Sequence, residues 1–350
     1  MENNNYKIAV FGAGSMGTVL GAFLSRGGLA VDMISRDIAY MNALKTKGAR
    51  ITGTISFTTA AFDGIGGRGL ALLPSEMNQK YNIIFLLTKQ IDNTETAEIL
   101  QNHLEPDGII CTMQNGIPEP LLAKILGEEK VLGCICAWGA NKIGPGKVVL
   151  TTRAGSLNFG LGCLFNNTHP MLPVVKSVLE KMCVVNIETN FIGARWSKLI
   201  INAAFSGLSA ISGYNFGKIA AGGHSRKLVL KIFKECINVC NAVKVKIEPI
   251  QGKDLIRLFD YNNKLQEWFA MFLLPFAIRK HHAIKSGMLH DLDSGKRCEI
   301  EYINGVVSEW GKKHKIPTPY NDQIIEIVHS IERGECKYNP KNLKFLGNLH

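Results

Sequence analysis

The chain opens with a short apolar strand pattern that runs directly into a glycine-rich loop. Lys7–Phe11 reads KIAVF, Gly12–Gly17 reads GAGSMG, and apolar residues recur at helical spacing from Ser15 to Arg26. In a β-α-β unit, the first glycine of GxGxxG permits the turn, the second lets a pyrophosphate approach, and the third lets helix and strand pack. The helix N-terminus adds free N–H groups for phosphate. The pattern predicts a dinucleotide-binding site made of Gly12, Ala13, Gly14, Ser15, Met16 and Gly17.

Further strand patterns alternate with helices through the first half of the chain. Val31–Ser35, Asn82–Leu87 and Gly108–Met113 are short apolar runs of this kind. Strands separated by helices predict a parallel, doubly wound sheet. Beyond residue 190 the apolar segments follow a helical period instead. We therefore expect an α/β protein, with a Rossmann-type doubly wound sheet in residues 1–188 and an all-α C-terminal domain in residues 189–350.

Composition narrows the class of protein and its partners. The 350 residues suit two domains, and the 46% hydrophobic content excludes a disordered chain. No apolar run is long enough to span a membrane, and the N-terminal residues lack a secretory signal pattern. Nine scattered cysteines without a CxxC pair indicate reduced thiols, so we expect a cytoplasmic protein without a metal site. The net charge of +11 lies in short clusters, which indicate a solvated surface that attracts small anions rather than nucleic acid.

The end of the second strand carries a hint about the dinucleotide. NAD sites usually place a carboxylate there to bind the ribose 2′-hydroxyl, but this strand ends at Ser35-Arg36. A guanidinium at this point favours NADPH, because it pairs with a 2′-phosphate that a carboxylate would repel. Asp32 and Asp37 lie on either side of Arg36 and keep NADH open as the alternative.

A polar stripe runs along an otherwise apolar helical segment in the second half. Lys198, Asn202 and Ser206 are spaced i, i+4 and i+8, which places them on one face of a helix. A lysine in such a segment either extends its ammonium to solvent from a domain interface or faces a ligand. In the second case, desolvation favours the neutral amine, so that the lysine can serve as a general acid near neutral pH.

With these residues identified, the chain resembles the ketopantoate reductase family, the 2-dehydropantoate 2-reductases. The resemblance extends over nearly the whole chain. It is carried by seven motifs in order: the GxGxxG loop, Lys89 in FLLTKQ, Asn115 in QNG, Gly139-Ala140 before Pro145-Gly146, Trp196-x-Lys198-x-x-x-Asn202, Ser286-Gly287-Met288-x-x-Asp291, and Glu299 in EIEYING.

The resemblance implies that NADPH reduces a 2-oxo acid, 2-dehydropantoate, to the 2-hydroxy acid pantoate, a step of pantothenate biosynthesis. It implies that Arg36 faces the 2′-phosphate and that Lys89, Asn115 and Ala140 line the cofactor path. It further implies that Lys198 donates the proton and that Glu299 lies near the lysine and the nicotinamide ribose. Asn202, Ser206 and Asn115 are then substrate contacts. No membrane or nucleic-acid partner is implied, and a homodimer is compatible with the family.

Two departures from the family pattern concern the substrate. Ser206 stands where members usually carry a second asparagine, and Gly287 stands where they usually carry serine. Both positions normally contact the substrate, so a paralogous reductase of another, bulkier 2-oxo acid remains an alternative, as does a catalytically silent NADP-binding module. The stretch from 218 to 285 is longer than expected. Its aromatic residues Trp268-Phe269 and Phe272–Phe276 indicate core packing first, with a reshaped pocket or a dimer contact as alternatives.

Overall fold

The computed structural model describes residues 6–166, 168–249, 254 and 258–347. Its chain divides into two compact units. The first holds the chain up to Gln114 together with Pro118–Phe191, and the second holds Asn115–Ile117 together with the chain from Ile192 onward. The division after Phe191 lies close to the boundary expected after residue 188.

The first unit is built on a mostly parallel sheet. Within the described residues the sheet has eight strands in the order β12-β11-β8-β7-β6-β1-β2-β5, and only the β8–β11 pair is antiparallel. These strands are β1 (Ile8–Phe11), β2 (Val31–Ile34), β5 (Ala71–Leu72), β6 (Tyr81–Leu86), β7 (Leu104–Thr112), β8 (Val131–Cys136), β11 (Asn158–Gly162) and β12 (Val184–Ile187). The helices are α1 (Ser15–Arg26), α2 (Ile38–Lys47), α3 (Asn93–Gln101), α4 (Glu119–Leu126) and α5 (Leu172–Leu179).

Both faces of the sheet are covered, as its sequence requires. Strand β1 is apolar at every position, and its alternate residues enter two separate cores. Ile8 and Val10 join the core that includes α1 and α2, whereas Ala9 and Phe11 join the core that includes α3 and α4. A continuous apolar strand is typical of a parallel sheet buried on both sides, and the predicted doubly wound fold is confirmed.

A second, smaller sheet was not predicted from the sequence. It has the order β4-β3-β10-β9 and consists of β3 (Arg50–Gly53), β4 (Phe57–Thr58), β9 (Ala140–Gly144) and β10 (Lys147–Leu150). Strands β3 and β4 lie within residues 50–58, whereas β9 and β10 lie within residues 140–150. The sheet joins these two distant parts of the chain through the parallel pairing of β3 with β10. Such non-local pairing leaves no short-range signal in the sequence.

The second unit is helical, as expected. It contains α6 (Phe191–Ile201), a π-helical segment (Asn202–Ser206), α7 (Gly207–Ser212), α8 (Phe216–Ala221), α9 (Gly223–Ala242), α10 (Lys264–Ile278), α11 (Gly287–Asp293), α12 (Ile300–His314), α13 (Pro319–Glu332) and α14 (Leu343–Leu346). One apolar core joins residues from α6 through α14. In the part of the chain that is described, no helix has the length and apolar character to cross a membrane.

The core assignment for the aromatic residues of α10 is wrong. Trp268, Phe269, Phe272 and Phe276 are 65%, 50%, 53% and 63% exposed, whereas Leu274 between them is buried. Helix α10 is apolar on both sides, so the sequence could not show which side faces the core. The side that faces the core carries Ala270, Leu274 and Ile278, which pack against neighbouring helices.

Candidate active site

The strand order of the first unit singles out the carboxyl end of β1 as a position for a ligand. Strand β1 lies between β2, which follows it in the chain, and β6, which is reached by a crossover. This change of direction is a topological switch point, where open α/β sheets bind ligands beyond the carboxyl ends of their strands. Gly12 follows β1, Arg36 lies just after β2, and Lys89 lies just after β6. The fold therefore gathers three of the predicted cofactor residues at one edge.

The three glycines of the loop meet different surroundings. Gly12 has φ +101°, and a Cβ there would lie 2.5 Å from the Thr88 backbone nitrogen. A Cβ on Gly17 would lie 2.3 Å from the Gly12 carbonyl oxygen, so both positions require glycine for packing. A Cβ on Gly14 would meet no described protein atom within 4 Å. The open side of Gly14 leaves space for a ligand to approach the backbone, which fits a pyrophosphate.

Helix α1 begins at this loop with its positive end available. No side chain caps its N-terminus, and no acidic residue lies in its first turn, among the residues that the structure describes. The Gly12 and Ala13 amides donate to the Ile34 carbonyl at 2.9 Å each, which holds the loop against β2. An uncapped helix start without a nearby carboxylate suits a phosphate group. The residues present therefore fit a dinucleotide.

The charged residues after β2 are arranged around Arg36. The Arg36 side chain is 66% exposed and pairs with Asp92. Asp37 caps α2 by accepting from the Tyr40 amide at 3.0 Å and pairs with Lys142 at 2.8 Å, and the hydrogen bond from Lys142 lowers the pKa of Asp37.

Asp32, the other acidic candidate for a ribose contact, is buried within the unit. It accepts hydrogen bonds from the Leu70 amide, the Gln79 side chain and the Tyr81 hydroxyl at 2.7, 2.7 and 2.8 Å. Its carboxylate is thus engaged in joining β2 to neighbouring segments.

A buried amide pair supports the loops after β6 and β7, and the sequence analysis assigned it no role. Gln114 donates to the Thr88 carbonyl at 2.9 Å and to the Asn93 side chain at 2.7 Å. Thr88 precedes Lys89, and Gln114 precedes Asn115, so the pair fastens the segments that carry both predicted residues. Lys89 is half-buried and Asn115 is exposed. The sequence drew attention to Gln114 only as the neighbour of Asn115. Its supporting role could not be predicted, because its partner Asn93 lies in a different segment of the chain.

Ala140 begins β9 in the smaller sheet and is half-buried. The residue before it, Gly139, is held at both backbone groups: its amide donates to the Thr152 hydroxyl at 3.0 Å, and its carbonyl accepts from the Thr151 amide at 3.0 Å. The structure thus places Ala140 at a fixed strand end.

The polar stripe of the second unit lies on α6 and the π-helical segment. Lys198 and Asn202 are half-buried, and Ser206 is 9% exposed. The sequence predicted a regular α-helix, but Asn202–Ser206 forms a π turn. Such turns occur frequently at functional sites, because they displace side chains from regular α spacing. Trp196 anchors the same helix, with its ring 5.6 Å from that of Trp310 in an edge-to-face contact.

A chain of buried amides and one carboxylate holds the π-helical segment. Asn304 on α12 donates to the Ala203 carbonyl at 3.0 Å and to the Asn321 side chain at 2.9 Å. Glu235 on α9 accepts from the Tyr320 and Asn321 amides at 2.8 and 3.0 Å. It thereby caps the N-terminus of α13 from another helix. Burial raises the pKa of Glu235 to about 7, although the hydrogen bonds that its carboxylate accepts act in the opposite direction and lower the pKa.

Glu299 immediately precedes α12 and is half-buried. The neighbouring Glu301 differs, because it is exposed and contacts His329 at 2.9 Å. Asn304, on the first turns of the same helix, bonds to the π-helical segment. Glu299 therefore belongs to the helix that supports the polar stripe, whereas Glu301 is a surface residue.

The two positions that depart from the family pattern lie on elements in contact. Helix α11 packs against the π-helical segment and α7. Ser286 is buried and caps α11 by accepting from the Leu289 amide at 3.0 Å, so its hydroxyl is committed to the backbone. A Cβ on Gly287 would meet no described atom within 4 Å. Ser206 and Gly287 thus leave more room in this part of the second unit than asparagine and serine would.

A Rossmann-type unit with a glycine loop, followed by a helical unit with a half-buried lysine on a polar face, defines a class of two-domain dinucleotide-binding proteins. Two models of one family match this chain: ketopantoate reductase PanE/ApbA over residues 8–162, and its C-terminal part over residues 190–332. The chain belongs to the ketopantoate reductase family and is an oxidoreductase acting on a CH–OH group.

Individual relatives agree in length and fold. The 2-dehydropantoate 2-reductase of Archaeoglobus fulgidus is 26% identical, over 94% of this chain and 98% of that protein. The solved 2-dehydropantoate 2-reductase from Geobacter metallireducens has a TM-score of 0.76 at 25% identity, over 93% of this chain and 99% of that one. D-mandelate dehydrogenase, solved with NADH and anilino(oxo)acetate, has a TM-score of 0.78 at 23% identity, over 94% and 99%. At that identity, the last match shows the fold alone.

Proposed function

We propose that this protein reduces 2-dehydropantoate to pantoate with NADPH, a step of pantothenate biosynthesis. The observation that carries the proposal is the half-buried pair Lys198 and Asn202 on the π-interrupted helix, in a chain whose glycine loop fits a dinucleotide. When bound, the nicotinamide supplies a hydride to the ketone carbon. The remaining chemistry is the delivery of one proton and the stabilisation of charge on the ketone oxygen.

The chain's own residues account for that chemistry. The Lys198 ammonium stabilises the developing oxyanion and then protonates it, which yields the hydroxyl of the product. Asn202 lies one helical turn further along and hydrogen-bonds the substrate. The Glu299 carboxylate favours the charged form of the lysine. Lys89, Asn115 and Ala140 contact the cofactor from the ends of β6, β7 and the beginning of β9.

The preference for NADPH rests on the surroundings of Arg36. Its guanidinium is 66% exposed just after β2 and pairs with Asp92, Asp37 is also exposed and pairs with Lys142, and Asp32 is buried and accepts hydrogen bonds within the unit. The Arg36→Gln variant is expected to bind NADPH roughly 10- to 100-fold more weakly, since a charge-assisted contact is worth about 1.5–3 kcal/mol. Binding of NADH should change little. Equal losses for both dinucleotides would contradict the assignment of Arg36 to the 2′-phosphate.

The test of the reaction follows NADPH absorbance with 2-dehydropantoate, for the wild type and Lys198→Gln. We expect turnover by the wild type and a loss of roughly 10²–10⁴-fold in kcat in the variant, as for removal of a general acid. NADPH affinity, measured by fluorescence, serves as the control and should be retained. Tight NADPH binding without turnover of any 2-oxo acid would instead indicate a silent dinucleotide-binding module.

A second candidate function has its own observation. Ser206 and Gly287 are both smaller than the usual family residues, and they lie on elements that pack together. The alternative substrate is therefore a bulkier 2-oxo acid, such as the aromatic benzoylformate. Comparison of kcat/KM for 2-dehydropantoate and benzoylformate separates the two, and a higher value for benzoylformate would favour the alternative.

A further inference from the structure

Two ion pairs involve consecutive residues just after β2, where a dinucleotide-binding fold places the ribose of its ligand. Arg36 pairs with Asp92, and the next residue, Asp37, pairs with Lys142 at 2.8 Å. All four residues belong to the first unit. Their charges sum to zero, so the removal of any one of them leaves a net charge at this place. The proposed reaction gives a role to Arg36 but none to Lys142.

The Lys142 ammonium is held by two partners. It donates a hydrogen bond to one carboxylate oxygen of Asp37, and it lies over the ring of Tyr40, 4.3 Å from the ring centre. The Tyr40 ring is buried, and its hydroxyl lies 2.9 Å from the Thr18 hydroxyl on α1. A cation is attracted both to a carboxylate and to the face of an aromatic ring. Lys142 therefore stays next to Asp37, although both side chains are exposed.

Asp37 is ionised in this arrangement. Its other carboxylate oxygen accepts from the Tyr40 amide at 3.0 Å, at the N-terminus of α2. The hydrogen bonds from Lys142 and from the Tyr40 amide lower the pKa of Asp37. Without Lys142 the carboxylate would still be ionised at neutral pH, because the ordinary pKa of aspartate is 3.8. It would then be an uncompensated negative charge one residue from Arg36.

The ion pair between Lys142 and Asp37 matters more for a bound anion than for folding. An exposed ion pair of this kind contributes little to the free energy of unfolding. A 2′-phosphate, in contrast, carries nearly two negative charges, and an uncompensated carboxylate beside it repels it. A ribose 2′-hydroxyl has the opposite requirement, because it donates a hydrogen bond to a free carboxylate after the second strand.

We infer that Lys142 determines the preference for NADPH through Asp37, because it neutralises the carboxylate that would otherwise repel the 2′-phosphate bound by Arg36. This inference rests on the proposed use of NADPH. Lys142 acts by its charge on Asp37, not by contact with the dinucleotide. Removal of that charge should therefore weaken the binding of NADPH and leave the binding of NADH unchanged or tighter.

Two adenosine nucleotides isolate the effect of the phosphate in the full-length protein. Adenosine 2′,5′-bisphosphate carries the 2′-phosphate and 5′-AMP lacks it, and isothermal titration calorimetry measures the affinity for each. We expect the wild type to prefer the bisphosphate. Lys142→Gln should bind the bisphosphate roughly 5- to 30-fold more weakly, as for one uncompensated charge near a protein surface, and 5′-AMP as the wild type does. Fluorescence titrations with NADPH and NADH should give the same pattern.

Neutralisation of the carboxylate separates an effect through Asp37 from a direct contact. Asparagine is as good an N-cap as aspartate, so Asp37→Asn removes the charge but keeps the cap of α2. In the double variant Lys142→Gln/Asp37→Asn, the affinity for the bisphosphate should return to the wild-type value. Lys147 is exposed on the neighbouring strand β10, and Lys147→Gln is the matched control, which should bind both nucleotides as the wild type does. Far-UV circular dichroism checks that each variant is folded.

The outcomes separate this inference from the proposed function. A wild type that binds both nucleotides equally would contradict the preference for NADPH and this inference with it. Where the wild type prefers the bisphosphate, two results overturn the inference alone: an unchanged preference in Lys142→Gln, or a double variant that binds the bisphosphate as weakly as Lys142→Gln. The second result would mean that Lys142 contacts the phosphate itself. None of these measurements involves hydride transfer or a 2-oxo acid.

Discussion

At the scale of single residues, the glycine loop separates two kinds of requirement for glycine. Gly12 and Gly17 are needed by the protein itself, because a side chain would collide with its backbone. Gly14 is not, because its open side meets no described atom within 4 Å. The sequence motif GxGxxG does not distinguish these roles, whereas the structure does.

This difference predicts opposite behaviour for two alanine variants. Gly14→Ala should fold with wild-type stability but bind NADPH at least about tenfold more weakly, since the methyl group obstructs phosphate approach. Gly12→Ala should be destabilised by roughly 1–3 kcal/mol or more, through its positive φ and the close Thr88 backbone. Urea unfolding and NADPH titration measure the two effects. Wild-type NADPH affinity in a folded Gly14→Ala protein would count against a pyrophosphate at this loop.

Gly287 and Ser206 allow a test of substrate selection. Gly287→Ser adds a hydroxyl at a position with space around its Cβ, and Ser206→Asn restores the usual amide. If the reduced side chains select a bulkier substrate, the double variant should shift the ratio of kcat/KM toward 2-dehydropantoate by roughly 10- to 100-fold, or about 1–3 kcal/mol. Steady-state kinetics with both substrates measure the ratio. An unchanged ratio would show that these positions do not select the substrate.

At the scale of elements, the π-helical segment depends on helices that are distant in sequence. Its Ala203 carbonyl is bound by Asn304, which is bound to Asn321, whose backbone is capped by Glu235. The sequence showed the polar stripe and included Asn304 in a family motif. It could not show this support, because the four residues belong to four different elements.

Glu235 makes stability depend on pH in a defined direction. Its pKa is about 7 in the folded protein against 4.5 ordinarily, so the unfolded chain loses this proton first as pH rises. The stabilising contribution of Glu235 to the free energy of unfolding is therefore fully present below pH 4.5 and is lost as pH rises through 7. Relative to Glu235→Gln, the wild type should lose about 3 kcal/mol of unfolding free energy over this window.

Urea unfolding at several pH values measures the difference between wild type and variant. Glu235→Gln should be less stable at low pH, since the amide accepts fewer hydrogen bonds, but should lack the decline toward neutral pH. Glu326→Gln, at an exposed position of α13, controls for removal of one carboxylate and should follow the wild type. Parallel pH profiles for wild type and Glu235→Gln would contradict this account.

At the scale of the whole molecule, we expect the net charge of +11 to attract small anions before they bind. The proposed cofactor and the proposed 2-oxo acid substrate are both negatively charged, and a positive surface would raise their encounter rate at low ionic strength. With saturating NADPH, kcat/KM for the 2-oxo acid should fall several-fold between about 0.01 and 0.15 M salt, as the Debye length shortens from roughly 30 to 8 Å. The methyl ester of the same acid is the neutral control. Equal salt dependence for acid and ester would exclude long-range attraction.

Most of the fold was determined by patterns that are local in the sequence. The apolar runs specify strands, and the glycine loop specifies the turn into α1, because a short segment's backbone conformation depends mainly on its own residues. The change from strand to helical periodicity near residue 190 likewise separates an α/β half from a helical half. The family motifs identified the candidate residues of the site, from the GxGxxG loop to Glu299.

The tertiary structure alone decided which groups meet and which remain exposed. It paired β3 with β10, placed Gln114 against Asn93, engaged Asp32 in the sheet, and interrupted α6 with a π turn. It also left the aromatic side of α10 in solvent, although both sides of that helix are apolar. These outcomes depend on competition between distant segments for the same packing sites and hydrogen-bond partners. Such competition is settled only when the whole chain is folded, so a local pattern cannot reveal it.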